Sequence, residues 1–391
     1  MPDRRLRIAI NAAFWGHETA GSGQYLHHLV EALVALEDGP EVVLVGQGPA
    51  NAARPLPAGA TWRVVPASPW RKLGENPEKL WFEQVTFPRA ARAVGAALAH
   101  VPYFASPRFP AQPTVVTVHD LIPLVLPGYR SSALVRAYMR LVAAAARRAD
   151  LVLTDAEASV GEIVRRLGVP AERVRAIPLA ASSAYRPVQG DALAAVRARY
   201  SLPERYFLYL GGFDLRRNLA TLFHALALAR RRDAALPPLV VAGALPAADS
   251  AFAPDPRRLA AEAGLDGGVR FVGRVPEEDK PALYSGALAF VFPSRYEGFG
   301  LPVLEALACG TPAAVADATS LPEVAGPGAL LVGPDDVGGW AAAIERLAAD
   351  EALRTRLRVA GQEHAARFSW RRTAQQTLAA YRQVAGTAKG T

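Results

Sequence analysis

The sequence predicts an α/β chain made of two successive Rossmann-like parallel-sheet domains, on three observations. Short runs rich in Val, Ile, Leu and Phe alternate with longer Ala/Leu/Arg-rich helical patterns along its 391 residues. The runs are almost wholly apolar, as in strands covered on both faces, rather than alternating as in half-exposed ones. A proline-punctuated break near 178–203 divides the strand–helix units into two series, where a closed barrel would need even spacing and no break.

In the first series the apolar runs predict strands at Leu6–Ile10, Val42–Val45, Thr61–Val65, Ala97–His100, Thr114–Val118, Leu151–Thr154 and Val174–Ile177, with helices over 23–37 and 133–149. In the second they predict Phe207–Leu210, Leu239–Ala242, Val269–Val272, Leu288–Phe292, Ala313–Val315 and Leu330–Val332, with helices over 219–232 and 337–349. Pro178, Pro187 and Pro203 bracket a linker at about 180–190, and a short helix over 191–200 opens the second half. The expected domains are 1–185 and 186–369. Ser369 suits the N-cap of a terminal helix reaching about Gln383.

At 51% hydrophobic and 20% charged residues the composition is that of an ordinary globular chain, long enough to bury large cores without staples. The single cysteine, Cys309, excludes a disulfide framework and a cysteine-rich metal site. The apolar run at Ile8–Ile10 is too short for a signal-peptide core, and no stretch approaches the roughly 18 apolar residues of a spanning helix. A cytoplasmic protein is expected. The formal charge of +8 is spread, +5 over residues 1–185 and +3 over the rest, with no basic tail. Such a charge favours anionic partners but supplies no nucleic-acid recognition motif, so no nucleic acid is expected. Trp70, Arg71, Lys72, Trp81, Phe82, Arg89 and Arg92 could give a weak, salt-sensitive contact with the inner face of a membrane. A packed helix with snorkelling arginines is the preferred reading of that segment.

The densest chemical signal is the stretch 292–311. A loop with Gly298 and Gly300 follows an apolar strand, Pro302 suits a first helical position, and Gly310 ends the helix. Free N–H groups and the positive dipole end of such a helix suit a phosphate. Glu297 lies in the loop, and Glu305, eight residues on, is expected in the first helical turn, where a carboxylate can accept ribose hydroxyls. A second loop, Gly211-Gly212-Phe213-Asp214-Leu215-Arg216-Arg217-Asn218, follows a strand and opens a helix that Asn218 can cap. Arg216 and Arg217 can fork onto phosphate oxygens. A third, Gly21-Ser22-Gly23, is another loop-to-helix anion site that lacks the complete G-x-G-x-x-G pattern. His119-Asp120 stands past a strand end, the edge where open parallel sheets bind ligands. There is no Walker motif, H-E-x-x-H, G-x-S-x-G or D-x-D, so arginines and helix dipoles, and no metal, are expected to meet an anionic substrate.

These blocks resemble the retaining GT-B glycosyltransferases of family 4, in their mannosyltransferase-like branch. Val272–Pro276, Pro293–Pro302 and Leu321–Gly326 are similar to that branch almost residue for residue. Glu297 and Glu305 match its E-x7-E motif, Gly211 to Asn218 its G-G-x-D-x-R-K-N motif, and Thr117–Asp120 its amino-terminal histidine motif. Gly21–Tyr25 resembles its G-x-G-R-Y loop. The resemblance implies two domains facing each other across a cleft, with a last segment, about 370–391, crossing back to the first. It implies donor binding in the second domain: Glu305 on the ribose, Arg216 and Arg217 on the diphosphate, and Glu297 with the Phe299-Gly300-Leu301 backbone on the sugar and distal phosphate. Gly212 and Val275 belong to the same donor side. His119, with Asp120 beside it, would face the sugar, and Gly21, Ser22 and Gly23 the phosphates and acceptor.

The implied reaction moves mannose from GDP-mannose, with retention and without a metal or other cofactor, to a carbohydrate or lipid-linked acceptor. UDP-glucose, UDP-N-acetylglucosamine or a deoxysugar nucleotide as donor, and a non-catalytic nucleotide-sugar-binding subunit, are the alternatives. The chain departs from the family pattern at four positions. Arg217 replaces a lysine, Gly212 stands where many relatives have arginine, Gln24 replaces an arginine, and Ala180 replaces a linker glycine.

Overall fold

The computed structural model describes residues 5–17, 21–50, 54–69, 72, 74–129 and 132–387; Trp70 and Arg71 lie outside them. The chain divides into two compact units, Met1–Leu179 with Ser369–Thr391, and Ala180–Phe368. The sequence placed the boundary at 185. Tyr185 instead belongs to the second unit, where its hydroxyl donates to Glu277 Oε2 at 2.7 Å and its ring packs beside Tyr284.

The first unit is a seven-stranded sheet: β1 (Arg7–Asn11), β2 (Glu41–Gln47), β3 (Ala60–Val65), β4 (Leu98–Val101), β5 (Thr114–Thr117), β6 (Leu151–Thr154) and β7 (Val174–Ala176). Its order is β3-β2-β1-β4-β5-β6-β7, with every pairing parallel. Each residue of β4, β5 and β6 is buried, which is why these strands read as largely apolar runs, interrupted only by His100 and by threonines. Phe82, Phe87, Val116, Val142 and Val152 share the core. Phe82 is thus a core residue, while Arg89 and Arg92 are exposed. The final helix, Trp370–Thr387, packs on the helix Gly21–Val34 and on β4. Ser369 Oγ accepts the Arg372 N–H at 3.3 Å, the capping contact expected of it.

The second unit holds β8 (Phe207–Leu210), β9 (Leu239–Ala242), β10 (Val269–Gly273), β11 (Ala289–Phe292), β12 (Ala313–Ala316) and β13 (Ala329–Val332). The order is β10-β9-β8-β11-β12-β13, again parallel throughout. All thirteen expected strands form, with ends displaced by at most two residues. In both units the order reverses beside the first strand, at β1/β4 and at β8/β11. The loops leaving these strands open a crevice at the carboxyl edge, where ligands bind in such sheets. Helix Val337–Ala349 packs on helix Leu219–Arg232, and it carries the fully buried Trp340, whose Nε1 donates to the Gly333 carbonyl at 3.1 Å.

Trp340→Ala empties the largest side-chain volume of this helix pair and should cost about 3–5 kcal/mol. Denaturant unfolding followed by a second-unit fluorescence probe should show that loss, and a change under about 1 kcal/mol would mean the site collapses around the deletion.

Candidate functional site

In the second unit two loops meet at the carboxyl edge of adjacent strands. The first leaves β8 through Gly211 and Gly212. The Tyr209 hydroxyl donates to the Gly212 carbonyl at 2.5 Å, and Gly211 N donates to the Ala242 carbonyl at 3.1 Å. A 3-10 turn, Leu215–Arg217, then aims both arginines at one carboxylate. Arg216 Nη1 donates to Glu297 Oε2 at 2.9 Å and its Nε pairs with Asp214 Oδ1 at 3.2 Å, while Arg217 Nη1 pairs with Glu297 Oε1. Arg217 also lies over the Phe292 ring at 5.3 Å, and its Nε is buried without an acceptor.

The second loop carries Glu297. Ser294 Oγ donates to Glu297 Oε1 at 2.6 Å. The Glu297 N–H donates to Thr319 Oγ1 at 3.1 Å, and Ser320 Oγ donates to the carbonyls of Glu297 and Phe299 at 3.1 and 2.8 Å. Gly300 follows at φ 108°, a backbone conformation that disfavours side chains, and an added Cβ would lie 2.7 Å from Leu321 Cδ2. The helix Leu301–Ala308 starts there, with proline in its first turn and no acidic residue to offset its dipole. Phe299 is buried against Phe368, and Val275 is buried just beyond β10. Arg216, Arg217 and Glu297 therefore converge, with Gly212 and the Gly300–Leu301 backbone in the same two loops.

Glu305 stands apart from that cluster. It is the fifth residue of its helix, in the second turn rather than the expected first. Its Oε2 accepts the buried Tyr284 hydroxyl at 3.0 Å. Burial pushes its carboxyl up to about 7 against the opposing pull of Lys280, whose Nζ pairs with Glu277. Asn218 is also corrected: it occupies the helix-start position at φ 58°, but its side chain makes no capping bond. Its Oδ1 accepts from Thr221 Oγ1 at 2.7 Å and its Nδ2 donates to the Pro334 carbonyl at 2.6 Å.

In the first unit His119 follows β5 at the carboxyl edge. Its Nδ1 meets Asp155 Oδ2 at 2.8 Å and its Nε2 the Pro102 carbonyl at 3.2 Å. The sequence paired His119 with Asp120. The structure pairs it instead with Asp155, the residue just after β6, and gives Asp120 Oδ1 the Ile122 N–H at 2.9 Å. Burial opposes a charged imidazole, yet the Asp155 carboxylate outweighs it, and the His119 pKa is raised. The Tyr25 ring stands edge-on to His119 at 4.7 Å between centroids. Gly21, Ser22 and Gly23 form the first turn of Tyr25's own helix rather than a loop before it. A Cβ on Gly23 would lie 2.0 Å from the His17 carbonyl oxygen.

Two family models match the chain: Glycosyl transferases group 1 over residues 197–364, and Glycosyltransferase Family 4 over residues 19–182. The O-antigen chain mannosyltransferase B of Escherichia coli is 35% identical over 269 residues, covering 68% of this chain and 70% of that one. The chain belongs to the family 4 glycosyltransferases. A D-inositol 3-phosphate glycosyltransferase of Salinispora arenicola is 34% identical over 248 residues, 60% of this glycosyltransferase and 54% of that protein. Among solved structures, a sucrose-phosphate synthase from Thermosynechococcus elongatus superposes with a TM-score of 0.77 at 27% identity, covering 98% of this chain and all of that one. Anabaena HepE in complex with UDP-glucose superposes at 0.72 and 18% identity, covering 99% of this chain and all of that one, a likeness of fold. The two-sheet architecture of this glycosyltransferase is GT-B.

Sequence reasoning missed Asp155, Ser294, Thr319 and Ser320. Asp155 was findable, because it directly follows a strand predicted at Leu151–Thr154, as His119 follows its own strand. The other three act through loop geometry that has no sequence spacing of its own. Among the described residues no group of three or more His, Cys, Asp or Glu could hold a metal, and no helix is long and apolar enough to cross a membrane.

The pH dependence of stability tests the Glu305 environment. With the folded carboxyl at about 7 and the ordinary value at 4.5, folding is favoured by this group below pH 4.5. That contribution is lost as pH rises through 7. Glu305→Gln should match wild type near pH 4.5 and melt at a higher temperature at pH 8, without nucleotide. Wild type melting higher at pH 8 would show that its partners favour the ionised form.

Proposed function

We propose that this glycosyltransferase moves a hexose with retention from a nucleotide sugar to a carbohydrate or lipid-linked acceptor, with mannose from GDP-mannose as its donor. The observation that supports it most directly is Arg217. Its Nη1 pairs with Glu297, its Nε is buried and unpaired, and it stands in the loop that meets the one feeding helix Leu301–Ala308. A diphosphate oxygen answers both deficits, the unpaired N–H and the uncompensated helix terminus. The mannose assignment rests on the likeness to the Escherichia coli O-antigen mannosyltransferase.

In this reading Arg216, Arg217 and the helix N-terminus stabilise the charge that develops on the departing nucleoside diphosphate. Glu297 holds the two arginines in position and lies near the donor sugar. Glu305 accepts the ribose hydroxyls, which requires the Tyr284 hydroxyl to share or release its oxygen. Val275, Phe299 and the Gly300–Leu301 backbone complete the donor site. His119, oriented by Asp155, serves the sugar, and Gly21–Gly23 offers N–H groups to an anionic part of donor or acceptor. No carboxylate stands out as a covalent nucleophile, so the acceptor attacks the face the diphosphate leaves, and the departing phosphate takes the acceptor proton. The arginines supply the counter-charge, and the reaction needs no metal. The reading places the protein in the cytoplasm, with at most weak contact at the inner membrane face.

A thermal-shift panel of GDP-, UDP-, ADP- and dTDP-sugars in excess EDTA tests donor and metal together. GDP-mannose should raise the melting temperature most, and mannosyl transfer should proceed without added metal. A larger shift with a UDP-sugar would replace the donor, and activity that returns only with magnesium or manganese would introduce a metal. Slow donor hydrolysis without acceptor separates an enzyme from a binding subunit, which would show none.

Two variants separate sugar from phosphate. His119→Ala should lower turnover at saturating donor with nucleoside-diphosphate affinity nearly intact, as for an interaction made in the transition state. Arg217→Ala should weaken diphosphate binding by about 1.5–3 kcal/mol, the worth of a charge-assisted hydrogen bond. Calorimetry paired with transfer rates reads both; a His119→Ala enzyme at wild-type rate would remove that residue from the chemistry.

A further inference from the structure

A chain of buried polar contacts runs from the final helix to the site histidine of the first unit. The Tyr381 hydroxyl meets His100 Nδ1 at 2.7 Å, and His100 Nε2 meets Thr117 Oγ1 at 2.8 Å. Thr117 Oγ1 meets the Tyr25 hydroxyl at 3.1 Å. The Tyr25 ring then stands edge-on to His119, which Asp155 holds from the other side. Four elements far apart in sequence contribute: the helix Trp370–Thr387, β4, β5 and the helix Gly21–Val34.

Every member is buried: His100 and Tyr381 completely, Thr117 at 1% and Tyr25 at 3% exposure. An apolar core would be cheaper than a half-satisfied network here, so the chain has to be ordered to persist. Burial holds His100 neutral, its pKa lowered to about 3, so it carries one N–H. If the Tyr381 hydroxyl donates to Nδ1, Nε2–H donates to Thr117, and the Thr117 hydroxyl is free to donate to Tyr25. One tautomer then satisfies all three contacts in a single direction. Without the Tyr381 hydroxyl nothing fixes that tautomer, because either nitrogen can carry the proton.

We propose that Tyr381 and His100 are positioning residues that fix, through Thr117 and Tyr25, the orientation of the His119 imidazole. The inference rests on the role given to His119 above, and it makes the last helix of the chain part of the site rather than a covering element. No link of the chain lies in the second unit, so its loss leaves nucleotide binding alone.

Tyr381→Phe removes one hydroxyl from this chain and keeps the ring. It should lower turnover about ten-fold, within the hundred-fold that a 1 Å misplacement can cost, with donor KM and nucleoside-diphosphate affinity within about two-fold of wild type. The second readout needs no activity. NMR titration of the His119 ring, which faces Asp155, Asp120, His100 and Tyr25, should show an altered pKa or tautomer signature in Tyr381→Phe. Thr117→Val cuts the middle link and should reproduce both effects if Tyr381→Phe folds poorly. An unchanged His119 titration with turnover within two-fold in a folded variant would overturn the proposal. An altered titration with unchanged turnover, together with a fully active His119→Ala enzyme, would uphold the positioning and overturn the catalytic role instead.

Discussion

Glu297 accepts from Arg216, Arg217 and Ser294, and through that one carboxylate the β8 loop is tied to the β11 loop. Two guanidiniums in adjacent positions repel each other, and here both are mostly shielded from water, with side chains about one-seventh exposed. A bare pair at that depth would be driven apart. The carboxylate between them makes their approach tolerable, at a desolvation cost that leaves the ion pairs worth little as net stability. What they supply is geometry. In the proposed reading a diphosphate would find two arginines already converged and desolvated, and would have only to share them with Glu297 rather than gather them from solution.

That geometry is held by local strain as well as by charge. Thr319 is β-branched and sits at φ 50°, a conformation such residues rarely adopt. It persists because its hydroxyl accepts the Glu297 N–H while the next residue, Ser320, is fully buried and serves two carbonyls of the same loop. Gly300, three residues after Glu297, holds a positive φ as well, and an added Cβ there would meet Leu321. Strained backbone of this kind survives where the surroundings over-determine it, commonly at ligand sites. The loop is thus set before a ligand arrives.

The fold was legible because both sheets are parallel and covered. Strands such as β4, β5 and β6 are buried at every residue, so each announces itself as an apolar run whatever its neighbours. The glycine loops were legible for a similar local reason: Gly300 and Gly310 are required by their own backbone conformations. The pairings were not. Asp120 looked like the partner of His119 because it is adjacent, but successive side chains of an extended chain leave on opposite sides, and Asp120 turns back to cap its own loop. The true partner follows from register: Thr117 pairs with Leu153 across β5 and β6, which brings the residues just beyond each strand together. Register is invisible until the sheet order is known. Glu305 was placed a turn too early because the helix start was inferred from Pro302, while Gly300 and Leu321 set it at Leu301.

The two units present different polar groups at their carboxyl edges, and the proposed chemistry accounts for the difference. In the second unit, Arg216 and Arg217 face Glu297 and Asp214, so the ion-paired cluster is neutral in sum, and the positive end beside it is that of helix Leu301–Ala308, whose first turn carries no acidic residue. In the first, His119 faces a carboxylate and a carbonyl; burial opposes a charged imidazole while Asp155 favours it, and burial also raises the Asp155 pKa, so the pair is neutral in sum whichever partner holds the proton. Glycosyl transfer separates charge: negative on the departing diphosphate, positive on the sugar ring. Guanidinium donors and a helix N-terminus lower the energy of the first and would raise that of the second. A neutral, dipolar group beside the sugar can orient it without opposing its growing positive charge, provided the imidazole is held still. That condition gives the first unit a use for a rigid buried frame around His119, and the helix carrying Tyr381 closes that frame from the far end of the chain.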